Sequence, residues 1–177
     1  MNRTLLCLVS AALVCGPVMK AEDAAATAQV ERGRSMFVNA GKGMACTTCH
    51  ALEGVGNSVG PDVKKLASVI GPRGLATTIQ MTMTCYVQEV KLSNGHTFPG
   101  MEKDKEKGVV HMWDLSKVPA TLLTLKESDI DSQKTNTAWK HPPAQAKYNA
   151  QELADIIAYL KFASTGVAKE VKDSELQ

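Results

Sequence analysis

Three things are scarce in this sequence: surplus charge, long apolar runs and cysteine beyond a handful. Each scarcity removes a class of function. The 177-residue chain has 20 Lys and Arg against 18 Asp and Glu, a formal charge of +2. Without residues 1–21 it also loses Arg3 and Lys20, and the balance becomes neutral. No basic field exists to attract nucleic acid or an anionic membrane. Beyond the apolar run at 5–19, no segment is apolar enough to span a bilayer. Two of the five cysteines, Cys7 and Cys15, fall in that run. Cys46, Cys49 and Cys85 remain, and three thiols, two of them three residues apart, do not form a disulfide framework.

The N-terminus reads as a secretory signal peptide. Asn2-Arg3 give a positive start, the run at 5–19 is broken only by Ser10, Gly16 and Pro17, and an alanine-rich stretch follows at 21–26. The run is too short to span comfortably, and the order matches an exported protein's leader. Residues 1–21 are therefore expected to be removed, with cleavage after Ala21 or within 24–26, placing the protein in the periplasm. The competing reading is a lipoprotein signal lipidated at Cys15, with Val14 standing where a small residue is wanted. What remains is enough for one domain, expected over 27–163, followed by a polar tail at 164–177.

Cys46-Thr47-Thr48-Cys49-His50 is the strongest signal in the chain. Two cysteines three apart can each form a thioether to one haem vinyl group, and the next residue then falls beneath the iron, where imidazole is the natural proximal ligand. A zinc site would need a second pair of ligands at similar spacing, and there is none. A thioredoxin-like site would need a preceding strand, whereas Gly41-Lys42-Gly43 precedes this one.

The flanks suggest two packed helices. Ala26, Val30, Gly33 and Phe37 recur at helical spacing before the motif. Leu153, Ile156, Ile157 and Leu160 do so near the other end, with Asn149 and Glu152 as N-cap and capping box. Gly33 would let the two helices approach closely, with Phe37 near Tyr159. Between them, 62–83 reads as two short helices split by Gly71-Pro72. Residues 86–125 read as strands, with Asn94-Gly95 as a hairpin turn, and the alternating charges at 102–107 read as a solvated loop.

With these residues in view, the chain resembles the haem-binding c-type domain family often fused to large secreted dehydrogenase-like propeller proteins. The resemblance is carried by Gly33-Arg34-Ser35-Met36-Phe37, the motif at Cys46 to His50, Gly54-Val55-Gly56, Gly60-Pro61-Asp62, Tyr86, Asn94-Gly95, Ser128-Asp129-Ile130, Glu152-Leu153-Ala154-Asp155 and Ala158-Tyr159-Leu160. It spans roughly 31–162. It implies one covalent haem c and a mainly α fold: a class I cytochrome c-like helical domain with a small antiparallel β insertion (86–125) before the C-terminal helix. It also implies that the Pro61 carbonyl braces the proximal His50, and it suggests an unidentified dehydrogenase donor and an oxidase or cytochrome acceptor as partners.

The sixth ligand departs from the family. Where a Met-Pro pair is expected, this chain has His141-Pro142, within Trp139-Lys140-His141-Pro142-Pro143. Position favours His141 as the second iron ligand, in a loop stiffened by two prolines. Met101, Met112, Met81, Met83, His96 and His111 remain alternatives. Trp139 and Tyr148 flank the loop and are expected to pack on the haem or hydrogen-bond a propionate. Cys85 is expected to be buried and inert.

Two classes of function fit one haem c. An electron carrier has both axial positions filled, whereas a haem enzyme or gas sensor needs an open position and catalytic groups beside it. No paired acid–base set accompanies the motif, so an electron carrier, not an enzyme, is the expectation. Protein isolated from its own compartment should begin between Glu22 and Thr27 and carry no lipid. Intact-mass spectrometry checks this, and a diacylglyceryl group on Cys15 would refute it.

Overall fold

The computed structural model describes residues 21–82 and 84–177. The expected leader up to residue 20, including Cys7 and Cys15, and the candidate Met83 lie outside the described residues. Chain order is α1 (Ala21–Val38), α2 (Val63–Val69), α3 (Pro72–Gln80), β1 (Gln88–Leu92), β2 (Thr97–Glu106), β3 (Val109–Asp114), β4 (Thr121–Lys126), β5 (Ile130–Thr135), α4 (Pro142–Gln145) and α5 (Ala150–Thr165).

Local chemistry sets the ends of the outer helices. Glu22 and Asp23 sit in the first turn of α1, where the helix dipole favours negative charge. At α5, the Asn149 side chain accepts from the Glu152 amide at 2.9 Å and the Glu152 carboxylate accepts from the Asn149 amide at 2.8 Å, a complete capping box. Ala26, Val30 and Phe37 of α1 are buried, as are Leu153, Ile156, Ile157 and Leu160 of α5. Phe37 meets Tyr159 edge-on, with ring centroids 5.6 Å apart. Ala67 of α2 and Leu75 of α3 complete this core. The Lys161 ammonium donates to the carbonyls of Ala67 (2.7 Å) and Ile70 (3.1 Å), tying the C-terminal end of α2 to α5.

The two long helices meet at Gly33. A Cβ there would lie 1.8 Å from the Asp155 carbonyl oxygen, so only hydrogen fits between the backbones. Beside this contact the Asp155 carboxylate, 2% exposed, accepts from Arg32 Nε (2.8 Å), Arg32 Nη2 (3.0 Å) and Gln151 Nε2 (2.8 Å). A buried carboxylate is tolerable only with such partners.

The C-terminal segment is docked along α1. The Gln29 side chain donates to the Val171 carbonyl and accepts from its amide, both at 2.8 Å, and Val171 is buried. A primary amide matches a peptide group in donor and acceptor, which lets this strap be buried without an unpaired polar atom.

The middle of the chain corrects the sequence reading. The expected mainly α, class I cytochrome c-like domain with a small insertion is replaced by an α and β fold with a five-stranded antiparallel sheet, ordered β4-β3-β2-β1-β5. The sheet extends to Thr135, beyond the limit of 125 read from sequence. β5 carries no strand signal in the sequence, because Ile130-Asp131-Ser132-Gln133-Lys134-Thr135 is an almost wholly exposed edge strand without apolar alternation. The charged run at 102–107 is largely the second half of β2 rather than a loop. Both faces of that half are exposed, so period-two hydrophobicity has nothing to report there.

The sheet must also curl. Straight, β2 would run about 30 Å at roughly 3.3 Å per residue. Yet Ser93, before one end, and Gly108, after the other, bond opposite ends of the same short turn (Glu127–Asp129): Ser93 N to Asp129 O at 2.9 Å and Glu127 N to Gly108 O at 2.8 Å. β2 therefore bends over, and a register shift between Glu102 and Asp104 marks where. The curl encloses a second core of Val90, Phe98, Val110 and Met112, flanked by Leu92, Leu123, Leu125 and Ile130. No helix among the described residues is long and apolar enough to cross a membrane.

The crossing predicts a selective glycine. Gly33→Ala should lower stability by about 3 kcal/mol, because the clash is with backbone and outweighs alanine's better helix propensity. Gly41→Ala, where a Cβ meets nothing within 4 Å, should be nearly neutral. Chemical denaturation of the two variants checks the contrast.

Candidate functional site

A cavity of about 410 Å³ opens between the helical core and the sheet, and its lining is almost entirely apolar. Phe37, Leu75, Ile156 and Leu160 form its helical wall, while Val87, Met101 and Leu115 come from the sheet region. Cys46, Cys49, His50 and His141 all line it.

The proximal half is built by backbone turns. After α1 a short 3-10 turn (Cys46–Thr48) lets the Cys46 carbonyl accept from the amides of Cys49 (3.1 Å) and His50 (2.8 Å). This tight winding brings both thiols to one wall. The chain then loops out and returns beneath the motif, where the Thr47 carbonyl accepts from Asn57 N (3.0 Å) and the Cys49 carbonyl from Val59 N (3.0 Å) and Gly60 N (2.7 Å). The return places the Pro61 carbonyl 2.9 Å from His50 Nδ1. That nitrogen donates, which leaves Nε2 as the free lone pair.

Gly60 makes this arrangement possible. A Cβ there would lie 2.4 Å from His50 Cε1 and 2.8 Å from Nδ1. In the sequence Gly60 stands out only through the family resemblance. Its steric role depends on a fold-back that no local pattern reveals.

The distal half comes from the loop before α5. The Asn136 side-chain oxygen accepts from the amides of Ala138 (3.1 Å) and Trp139 (2.8 Å), turning the chain inward. The His141 amide donates to the Thr82 carbonyl at 3.3 Å, and Pro142-Pro143 then start α4. His141 thus stands between the end of α3 and α4. Its ring faces His50, with centroids 6.4 Å apart and planes at 89°. Trp139 lies beside it, with ring centroids also 6.4 Å apart and planes tilted by 37°.

Electrostatics favours neutral imidazoles. Burial pushes the His50 pKa down, opposed by the Pro61 carbonyl. Burial, then the facing His50, push His141 down, opposed by the Ile79 carbonyl. Both rings therefore stay deprotonated to lower pH than free histidine, in the form that binds metals. Burial also raises both thiols, Cys46 to about 11. Tyr148, also in the cavity wall, is raised mainly by burial.

The remaining candidates separate by place. Met112 is fully buried in the sheet's own core, away from the cavity. His96 stacks on Phe98, and His111 pairs with Asp104 on the sheet surface. Met101 and Met81 line the cavity, Met81 about half exposed. Cys85, expected to be buried, is exposed at the cavity's edge.

The donor set can be tested against haem. A metal–imidazole bond of about 2 Å plus about 1.1 Å from nitrogen to ring centroid, on each of two opposite sides, asks for centroids roughly 6.2 Å apart. The observed separation is 6.4 Å. Among the described residues no three His, Cys, Asp or Glu side chains gather to hold a bare metal ion. Two imidazoles beside two thiols in an apolar slot suit a metal whose other four ligands arrive with a macrocycle.

Gly60→Ala should push the His50 ring off the Pro61 carbonyl, shift its ring proton resonances and cost about 1–3 kcal/mol of stability. NMR and thermal unfolding check this. As for likeness to known proteins, no protein-family model matches this chain and no curated protein is similar to it.

Proposed function

We propose that this chain is an exported monohaem c-type cytochrome that carries electrons. The observation that carries the reading is the facing pair His50 and His141 in the same apolar cavity as both cysteines of the Cys46-Thr47-Thr48-Cys49-His50 motif. The resemblance to the secreted haem-binding c-type domains points the same way, as does the leader-like pattern of residues 1–21.

Each residue has a definite task. Cys46 and Cys49 would hold the group by adding each S–H across one vinyl double bond, sulfur to one carbon and hydrogen to the other. His50 offers Nε2 as proximal ligand, oriented and made more basic by the Pro61 carbonyl. His141 would offer the second imidazole to the group. A haem bound there supplies a one-electron ferric/ferrous couple. Phe37, Leu75, Ile156 and Leu160 exclude water and so disfavour the more charged ferric form. The second imidazole opposes them, since it supports ferric iron better than a thioether does. Were both histidines to hold the metal, no position on it would remain for substrate, which favours a carrier over an enzyme or gas sensor. By analogy with the domain family, a secreted dehydrogenase is the proposed donor and an oxidase or another cytochrome the acceptor.

Protein made with c-type maturation machinery should keep its haem through denaturing electrophoresis, and Cys46→Ala with Cys49→Ala should release it to acid–acetone. His141→Ala should convert a carbon monoxide-inert ferrous protein into one that binds it. His141→Met should raise the potential by on the order of 100 mV, within the ~0.8 V range that axial ligands span. Extraction of the wild-type haem would overturn the attachment, and carbon monoxide binding by the wild type would overturn the carrier.

A further inference from the structure

The two histidines are crossed as well as facing. Their ring planes stand at 89°. Resting on the proposed haem site, we infer that this chain imposes perpendicular axial imidazole planes on the iron, through braces on both rings that exist before any metal is bound.

The braces are different in kind. His50 is gripped at Nδ1 by the Pro61 carbonyl at 2.9 Å. An N–H lies in its ring plane, so a carbonyl that accepts from Nδ1 sets the rotation of the ring about Cβ–Cγ. The carbonyl itself is held by the Cys49 bonds to Val59 and Gly60 just upstream and by α2, whose N-cap Asp62 accepts from Lys65 N at 3.0 Å. Gly60 lies so close to the ring that a Cβ there would meet His50 Cε1 at 2.4 Å.

His141 is held from several sides. Its amide is tied to the Thr82 carbonyl, Pro142-Pro143 stiffen the chain directly after it, and the Ile79 carbonyl interacts with its ring. Trp139, tilted 37° to the imidazole, packs along the loop. The proximal braces belong to the loop under the motif and the distal braces to α3 and the loop before α5. Turning the His50 ring would break its bond to the Pro61 carbonyl, and the His141 ring is confined by its tied, proline-stiffened loop and the neighbouring Trp139.

The consequence is electronic. Coplanar imidazoles both overlap with the same π-type d orbital of iron and split the pair, which stabilises the ferric ion. Crossed imidazoles each take a different orbital and leave the two nearly degenerate. The arrangement therefore yields a higher potential than coplanar imidazoles would in the same pocket. It also yields a highly anisotropic low-spin ferric signal with one dominant large-g feature, instead of a resolved rhombic triplet.

Low-temperature electron paramagnetic resonance of the ferric holoprotein tests this. Pyridine haemochrome analysis and intact mass on the same sample first establish one covalent haem; without it, the proposed function fails and not merely the crossed geometry. With it, a dominant large-g signal that disappears in His141→Met supports the inference. A rhombic triplet from the wild type overturns the crossed planes while leaving two-histidine ligation standing. A large-g signal that survives His141→Met also overturns it, because the signal would not then arise from this pair.

Discussion

The hydrogen atom of Gly33 sets how closely α1 and α5 pack, and the cavity wall depends on that closeness. With the α1 backbone against the Asp155 carbonyl, Phe37 comes alongside Tyr159 and forms one wall together with Ile156 and Leu160. The buried Asp155 carboxylate locks the crossing, because Arg32 and Gln151 are the partners that make its burial tolerable. Lys161 extends the restraint to α2, and Gln29 extends it to the C-terminal strap. The chain leaves α1 at Val38 and reaches Cys46 a few residues later, so the position of the thiols follows from this crossing.

Against that rigid wall, the two histidines are carried by loops. Loops have no ladder of their own to fix a side chain, and here backbone groups supply the restraint: the Pro61 carbonyl grips one ring, and contacts at Thr82 and Ile79 hold the other loop and ring. Burial then keeps both imidazoles neutral over a wider pH range than free histidine. On the proposed reading the protein is preorganised for its cofactor, which costs less on binding than ordering two loops would.

The sheet stands apart energetically. Its apolar residues pack on one another inside the curl, and only a few neighbouring positions, among them Val87, Met101 and Leu115, face the cavity. It therefore forms one side of the cavity without depending on the helical core for its own burial. This separation also explains why the chain is not a mainly helical domain carrying a trimming of strands. A sheet with its own core is a second structural unit in all but linkage.

The features that depend on near neighbours are legible in the primary structure: the Cys46 to His50 motif, the helical stripes of α1 and α5, the Asn149–Glu152 capping box, the break at Gly71-Pro72 and the hairpin at Asn94-Gly95. These rest on covalent spacing, helical period or turn chemistry, all legible within a few residues. The sequence also pointed to the Gly33 approach and to His141, though not to the geometry of either. Long-range packing was needed to show that β2 bends and continues through its charged half, that an exposed β5 forms one edge of the sheet, that Cys85 is exposed and that the C-terminal segment docks on Gln29. It alone brought His141 opposite His50, 91 residues away along the chain, and left Gly60 no room for a side chain. Those outcomes turn on which distant segments share space, and a one-dimensional pattern carries no term for that.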